Sequence, residues 1–265
     1  MYNYFSDVYE HLRSELRGRP PLQGKTWQGK DVSSRPEMET QELLNTTFDL
    51  FLPDEDLEGY ARDIVPDLPW ADDHFEERVC GVPLNPGVQY AKWRMGKWTS
   101  WFQSNSIFNH NYMERIWPKF AGRKTPLFVP EEFSSEGLSP REGIRYQYGD
   151  LNDVIDLLAR DPMTRQAFLP VFFPEDTGAV HQGRTPCTIG WGFIQRDKRL
   201  HITYFLRSCD FVNHFRNDVY MAIRLGIHVL QKLRAKDRFW DSVTPGSLHM
   251  DITSLHVFKA NRSQM

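Results

Sequence analysis

Apolar positions along the chain switch between helical and strand spacing, and the switches mark out its elements. Phe5, Val8, Tyr9 and Leu12 recur at helical spacing, which predicts a short amphipathic helix over 4–16. Residues 17–40 are polar and rich in Gly, Pro, Lys and Ser, so a long loop is expected there. A β-like run covers 44–52, and the proline- and acid-rich stretch 53–70 predicts irregular chain. Trp70 to Val79 predicts a helix that Gly81-Val-Pro stops. Residues 88–120 are dense in aromatics, and 121–148 read as an insertion or loop.

The second half alternates more cleanly. Leu151, Val154, Ile155 and Leu158 share one face of a helix over 150–160, ended by Asp161-Pro162. Ala167 to Phe173 predicts a compact strand. Two β runs, 187–195 and 200–207, flank Arg-Asp-Lys-Arg and predict a hairpin. Val219, Ile223, Ile227 and Leu230 mark a helix reaching about Arg234, and 248–258 is a last strand. Strands and helices mix without regular βαβ alternation, which points to an α+β chain. With 265 residues and no internal repeat, one domain over 1–265 is expected.

Composition narrows the function classes. Apolar residues are 40% and charged residues 25%, ordinary for a globular protein. A net charge of −3 argues against a broad nucleic-acid surface. No apolar run approaches the ~18 residues of a membrane span, and the start Met-Tyr-Asn-Tyr-Phe-Ser-Asp lacks the basic and apolar parts of a signal peptide. Cys80, Cys187 and Cys209 form neither a disulfide framework nor a Cys-x-x-Cys metal pair, so no metal is expected. The simplest expectation is a cytoplasmic protein with free thiols.

Candidate chemistry centres on Cys187. A thiol attacks as thiolate, and a nearby cation favours that form; the predicted hairpin sets Arg207 beside Cys187. By itself Cys187 reads first as a small buried hydrophobe, the commonest fate of a free cysteine. Its surroundings follow an ordered set of motifs: Asp161-Pro-Met-Thr-Arg165, Phe172-Phe-Pro-Glu-Asp176, Pro186-Cys187, Arg207-Ser-Cys-Asp210, then Pro245-Gly246 and His256-Val-Phe258. This order resembles the thymidylate synthase family, which reads Asp-Pro-x-Ser-Arg-Arg, Trp-x-Pro-x-Asp, Pro-Cys-His, Arg-Ser-x-Asp, Pro-Gly and His-x-Tyr. The resemblance is firm over 150–260. Over 1–120 it is looser, carried by Ser34-Arg35-Pro36 and Asn111-Tyr-Met-Glu-Arg115.

The resemblance implies a three-layer fold with a mixed β-sheet and packed helices, and a role for each matching position. Cys187 adds to C6 of a pyrimidine nucleotide, and C5 then attacks the one-carbon unit of 5,10-methylenetetrahydrofolate, the co-substrate. Arg35, Arg207 and Ser208 hold the 5′-phosphate. Arg165 reaches the phosphate of the other subunit, implying a homodimer. Asp210 faces the folate, and His256 lies near the sugar 3′-hydroxyl. A catalytic acid belongs in the helix 70–79, where Asp72, Asp73, Glu76 and Glu77 are candidates and Glu77 is preferred. Trp93 or Trp98 packs on the folate, or simply in the core. Blander roles stay open: Asp210 as a turn cap, and His256 as a core histidine.

One position bears on the base. The family's synthases carry Asn eight residues after the motif aspartate, where an amide matches uracil; here that residue is Asp218. A carboxylate accepts from the cytosine amino group but cannot donate to O4 of uracil. This favours a cytidine monophosphate (dCMP, or CMP) and resembles the hydroxymethylase branch. Asn217 lies one residue before, so a slip in register would restore the uracil reader, and Asp218 could instead cap the following helix. The chain ends seven residues after Phe258, so the synthases' closing C-terminal tail is expected to be short or absent, favouring water capture over hydride transfer.

Departures are Thr188 for His, Gln166 for the second Arg, and Phe258 for Tyr. The rival enzymatic expectation is a thymidylate synthase or dUMP hydroxymethylase. A DNA methyltransferase would need a Gly-rich cofactor loop and a basic surface, which this sequence lacks. A nucleotide-binding protein without chemistry is disfavoured by the intact Cys187, Arg207 and Asp210.

Overall fold

The computed structural model describes residues 1–27, 29–85, 87–92, 103–104, 107–108, 110–120, 148–177 and 184–265. In chain order the elements are α1 (Phe5–Arg17), β1 (Thr26–Trp27), β2 (Lys30–Asp31), β3 (Thr40–Phe51), α2 (Leu57–Ile64), α3 (Trp70–Val79), α4 (Val88–Lys92), β4 (Gln103–Ser104), β5 (Ile107–Phe108), α5 (Tyr112–Ile116), α6 (Leu151–Arg160), β6 (Phe168–Pro170), β7 (Thr188–Arg196), β8 (Arg199–Leu206), β9 (Cys209–Asp210), α7 (Phe215–Arg234) and β10 (Thr244–Phe258).

The main sheet runs β3-β10-β8-β7-β6, with β9 also pairing β10. β10 pairs antiparallel with β3 but parallel with β8 and β9, so the sheet is mixed. This is the expected α+β class with a mixed sheet and packed helices. The β7–β8 hairpin turns at Asp197 and Lys198, both at positive φ (51° and 59°), the geometry of a two-residue turn that matches strand twist. Along β8, Leu200, Ile202, Tyr204 and Leu206 are buried, while Arg199, His201, Thr203 and Phe205 stay half-buried. The buried side takes α7, whose Val219, Ile223, Ile227 and Leu230 contribute to the core together with Phe5, Val8 and Leu12 of α1. Each such side chain contributes about 1.5–3 kcal/mol by leaving water.

Several expectations about elements need correction: β1 and β2 lie within the stretch 17–40 expected as loop, and β6 covers only Phe168–Pro170 of the strand expected over 167–173. The stretch 53–70 is not irregular throughout, because α2 lies within it. Its prolines, Pro53, Pro66 and Pro69, all fall outside the helix, and Asp56 caps it by accepting from Gly59 N at 3.0 Å. Strands β3 and β10 are also longer than expected. Polar residues such as Gln41 and Glu42 enter β3 because Val257 and His256 of β10 pair with them. Conversely α6 starts where its capping box sets it, with Asp150 accepting from Asn152 N and Asp153 N.

Arg115 and Asp176 fix the loop side of the core. Arg115 donates through both terminal nitrogens to Asp176, at 2.8 and 2.9 Å, with 2% and 0% of the side chains exposed. Asp176 also accepts from Phe173 N, and the guanidinium lies over the Phe173 ring at 4.8 Å. Removing one partner strands the other charge. Asp176→Ala or Arg115→Met should each cost about 3–5 kcal/mol in urea unfolding, and the double variant Arg115→Met/Asp176→Leu should recover a large part of that loss.

Candidate active site

The cavity follows from how the β7–β8 hairpin ends. Just before β7, the Cys187 carbonyl accepts from Arg207 N at 2.9 Å. The Arg207 side chain then reaches back, donating Nε to Pro186 O (2.8 Å) and a terminal nitrogen to Thr185 O (2.9 Å). These bonds tie the segment carrying Cys187 to the end of β8. Behind it, Thr188 Oγ1 meets the hydroxyls of Tyr112 (3.3 Å) and Tyr204 (2.8 Å). Cys187 is half-buried on the wall of a cavity of about 370 Å³.

Of the sequence-predicted residues, Cys187, Arg207, Ser208, Asp210, Asp218 and His256 all line this cavity. Asp210 is a turn cap and a wall residue at once. It accepts from Val212 N, Asn213 N and Asn213 Nδ2, and it remains on the lining. His256 sits opposite Asp210 in the β9–β10 register, edge-on to Phe258. Burial holds its pKa below the ordinary imidazole value.

Asp218 is not the helix cap. The N-cap of α7 is His214, and Asp218 N already donates to its carbonyl at 2.8 Å. The Asp218 carboxylate accepts instead from the Cys209 thiol at 3.6 Å. Burial and the nearby Asp218 push that thiol's pKa well up, so it stays protonated and donates. Part of the Asp218 surface is open to the cavity, yet the cavity is deep enough to desolvate it. Desolvation raises its pKa to about 6, against the opposing pull of the Arg78 cation and the Cys209 hydrogen bond.

Asn217 also reaches the lining, but its amide is engaged. Oδ1 accepts from Asp67 N at 2.9 Å and Nδ2 donates to Asp67 Oδ2 at 3.2 Å.

Several expected residues lie elsewhere. Glu77 does not line the cavity. Its carboxylate accepts from Gln89 N, Tyr90 N and His74, and so holds the start of α4. The α3 residues that do line it are Trp70, His74 and Arg78, spaced by one helical turn plus a fraction. Arg35, half-buried, and Arg165, exposed in the turn after α6, are also absent from the lining. Trp93 and Trp98 lie outside the described residues.

Sequence reasoning missed Arg78, Arg184, His74 and His214. Arg184 is buried, donates to the Tyr90 hydroxyl at 2.9 Å, and lies close enough to Cys187 to interact electrostatically. Burial lowers His74 and His214 to a pKa of about 4 each, so both are neutral near pH 7. The one available signal was periodicity: Trp70, His74 and Arg78 share a face of the predicted helix.

Two carboxylates, Asp210 and Asp218, line the cavity among the described residues, along with the flat rings of Trp27, Trp70 and Tyr90. Such walls suit a planar heterocycle with a polar edge. No group of residues able to hold a metal occurs among those described, and no described helix is long and apolar enough to cross a membrane.

Comparison with known proteins places the architecture. No protein-family model matches the chain, and no curated protein matches it by sequence. Among solved structures it is similar to thermostable thymidylate synthase A from Bacillus subtilis, with a TM-score of 0.63. The match covers 98% of this chain and 81% of that chain at 14% identity. The chain therefore has the thymidylate synthase fold; at this identity the likeness concerns the fold and leaves the reaction to the site.

The raised pKa of Asp218 has a stability consequence. Its protonated form is favoured on folding; that stabilisation is complete below 3.8 and is lost as pH rises through about 6. Asp218→Asn should therefore stabilise the protein above pH 6 by about 1–3 kcal/mol. The gain should vanish near pH 4, as read from melting curves across that range.

Proposed function

We propose that the protein catalyses folate-dependent 5-hydroxymethylation of a cytidine monophosphate, dCMP or CMP. The observation carrying this reading is the contrast between neighbours on α7. Asp218 presents a carboxylate to the cavity that holds Cys187, whereas both functional atoms of Asn217 are bonded to Asp67. An ionised carboxylate accepts from the exocyclic amino group of cytosine and repels O4 of uracil. That disfavours the rival reading as a thymidylate synthase or dUMP hydroxymethylase, which needs a free amide at the base edge.

In this reading Cys187 Sγ forms a bond to C6, and the displaced π electrons become available at C5. Methylenetetrahydrofolate supplies a one-carbon unit at the oxidation level of formaldehyde. C5 bonds that carbon and loses its proton, and the bond from that carbon to the folate nitrogen breaks, releasing tetrahydrofolate and leaving an exocyclic methylene on C5. Water then adds to the carbon and the Cys187–C6 bond breaks, restoring the aromatic ring. The hydroxymethyl outcome rests on the resemblance of Asp218 to the hydroxymethylase branch.

Arg207, Ser208 and the cavity-lining Arg184 are assigned to the 5′-phosphate, which guanidinium forks suit. Asp210 and the aromatic walls are assigned to the folate, and His256 to the sugar. Arg165, exposed and outside the cavity, is assigned to the phosphate bound by a second copy, so a homodimer is the active unit.

Incubating dCMP, CMP and dUMP separately with methylenetetrahydrofolate, and weighing the products by mass spectrometry, tests the reading. A cytidylate gaining CH2O is expected; turnover of dUMP alone would sink it. Cys187→Ser should abolish tritium release from C5 while leaving cytidylate binding within a few-fold. Asp218→Asn should shift the binding preference toward uridylate by about 10–100-fold, the worth of one well-placed base contact.

A further inference from the structure

Arg78 is a buried cation whose terminal nitrogens make no hydrogen bond among the described residues. The residue is 7% exposed and lines the cavity from α3. Its Nε donates to His74 Nε2 at 2.9 Å, so that ring nitrogen is unprotonated and the proton sits on Nδ1, which donates to Glu77 Oε2 at 3.1 Å. His74 is itself 1% exposed and stacked on Trp70. The chain Glu77–His74–Arg78 therefore fixes the guanidinium, which lies over the Tyr112 ring at 4.3 Å. Among the described residues no carboxylate pairs with it, and no hydrogen bond is made by its two terminal nitrogens. Neither nitrogen is sealed from the cavity. A buried guanidinium with open donors is costly unless a ligand takes them.

We propose that Arg78 is a second base-reading residue, donating to the ring acceptors N3 and O2 of a cytosine whose amino group is held by Asp218. This rests on the cytidylate reading above and adds the other half of the edge. Cytosine presents a donor at N4 and acceptors at N3 and O2; uracil presents an acceptor at O4 and a donor at N3. A carboxylate only accepts and a guanidinium only donates, so the pair matches cytosine along the whole edge and opposes uracil at O4 and N3. Asp218 alone discriminates only at the C4 substituent. His74 is a positioning residue here, acting through the guanidinium it orients.

The test is equilibrium binding by calorimetry of dCMP, dUMP and 3-deaza-dCMP, in which N3 is replaced by CH, with the ribonucleotide series run in parallel. Wild type should bind 3-deaza-dCMP about 10–100-fold more weakly than dCMP. In Arg78→Met that ratio should fall to near one. In His74→Phe, which keeps a ring on Trp70 but removes the acceptor for Nε, it should fall partway.

Wild type binding dCMP and 3-deaza-dCMP equally, while still preferring dCMP over dUMP, overturns the role of Arg78 and leaves the cytidylate reading standing. Survival of a large ratio in Arg78→Met overturns it too. No cytidylate preference over dUMP in wild type removes the reading of Asp218 and this proposal together. Should Arg78→Met fail to fold, the wild-type ratio of dCMP to 3-deaza-dCMP decides.

Discussion

Three hydrogen bonds at the mouth of the β7–β8 hairpin set the geometry on which the site depends. Arg207 N takes the Cys187 carbonyl, and the Arg207 side chain takes the carbonyls of Pro186 and Thr185. A loop leaving a strand would otherwise place its thiol loosely. Here a charge-assisted pair of bonds, stronger than neutral ones, clamps it to β8. The chain runs on from β8 through Arg207 and Ser208 into β9, which pairs with β10 at Leu255 and His256. The thiol, the motif aspartate and the histidine thus share one rigid frame.

Charge in the cavity follows from burial. Three guanidinium groups, of Arg78, Arg184 and Arg207, face two carboxylates, of Asp210 and Asp218, among the described lining residues. Burial keeps His74 and His214 neutral near pH 7, so they do not add to the positive side. The balance leaves room for an anion, and the carboxylates leave room for a donor edge; a phosphorylated cytidine offers both. The low polarity of the surroundings that makes these groups costly also makes their contacts with a ligand strong.

The hairpin, α3, α6 and α7 were readable because their apolar spacing and caps agree with the packing they enter. The helix α2 was not, because prolines flanking it obscured a short apolar face that gains its stability against α7. The site divides the same way. Cys187, Arg207, Ser208, Asp210, Asp218 and His256 stand in contiguous motifs and converge in space. Glu77 shows the converse: it is an acid in the expected helix, but its side chain turns to the amides of α4.

By itself the sequence determined the order of the elements, the α+β class and the set of polar residues grouped around Cys187, since these depend on local spacing and on short motifs. Only the tertiary structure decided which neighbour on α7 is open, Asp218 or Asn217, and which member of α3 enters the cavity. Those choices depend on contacts between residues far apart in the chain, Asp67 with Asn217, and Arg78 with the Tyr112 ring and with Trp117 Nε1, which donates to the Arg78 carbonyl. A one-dimensional pattern gives the side of a helix, but burial and hydrogen-bond satisfaction set by distant segments fix what each side chain does there.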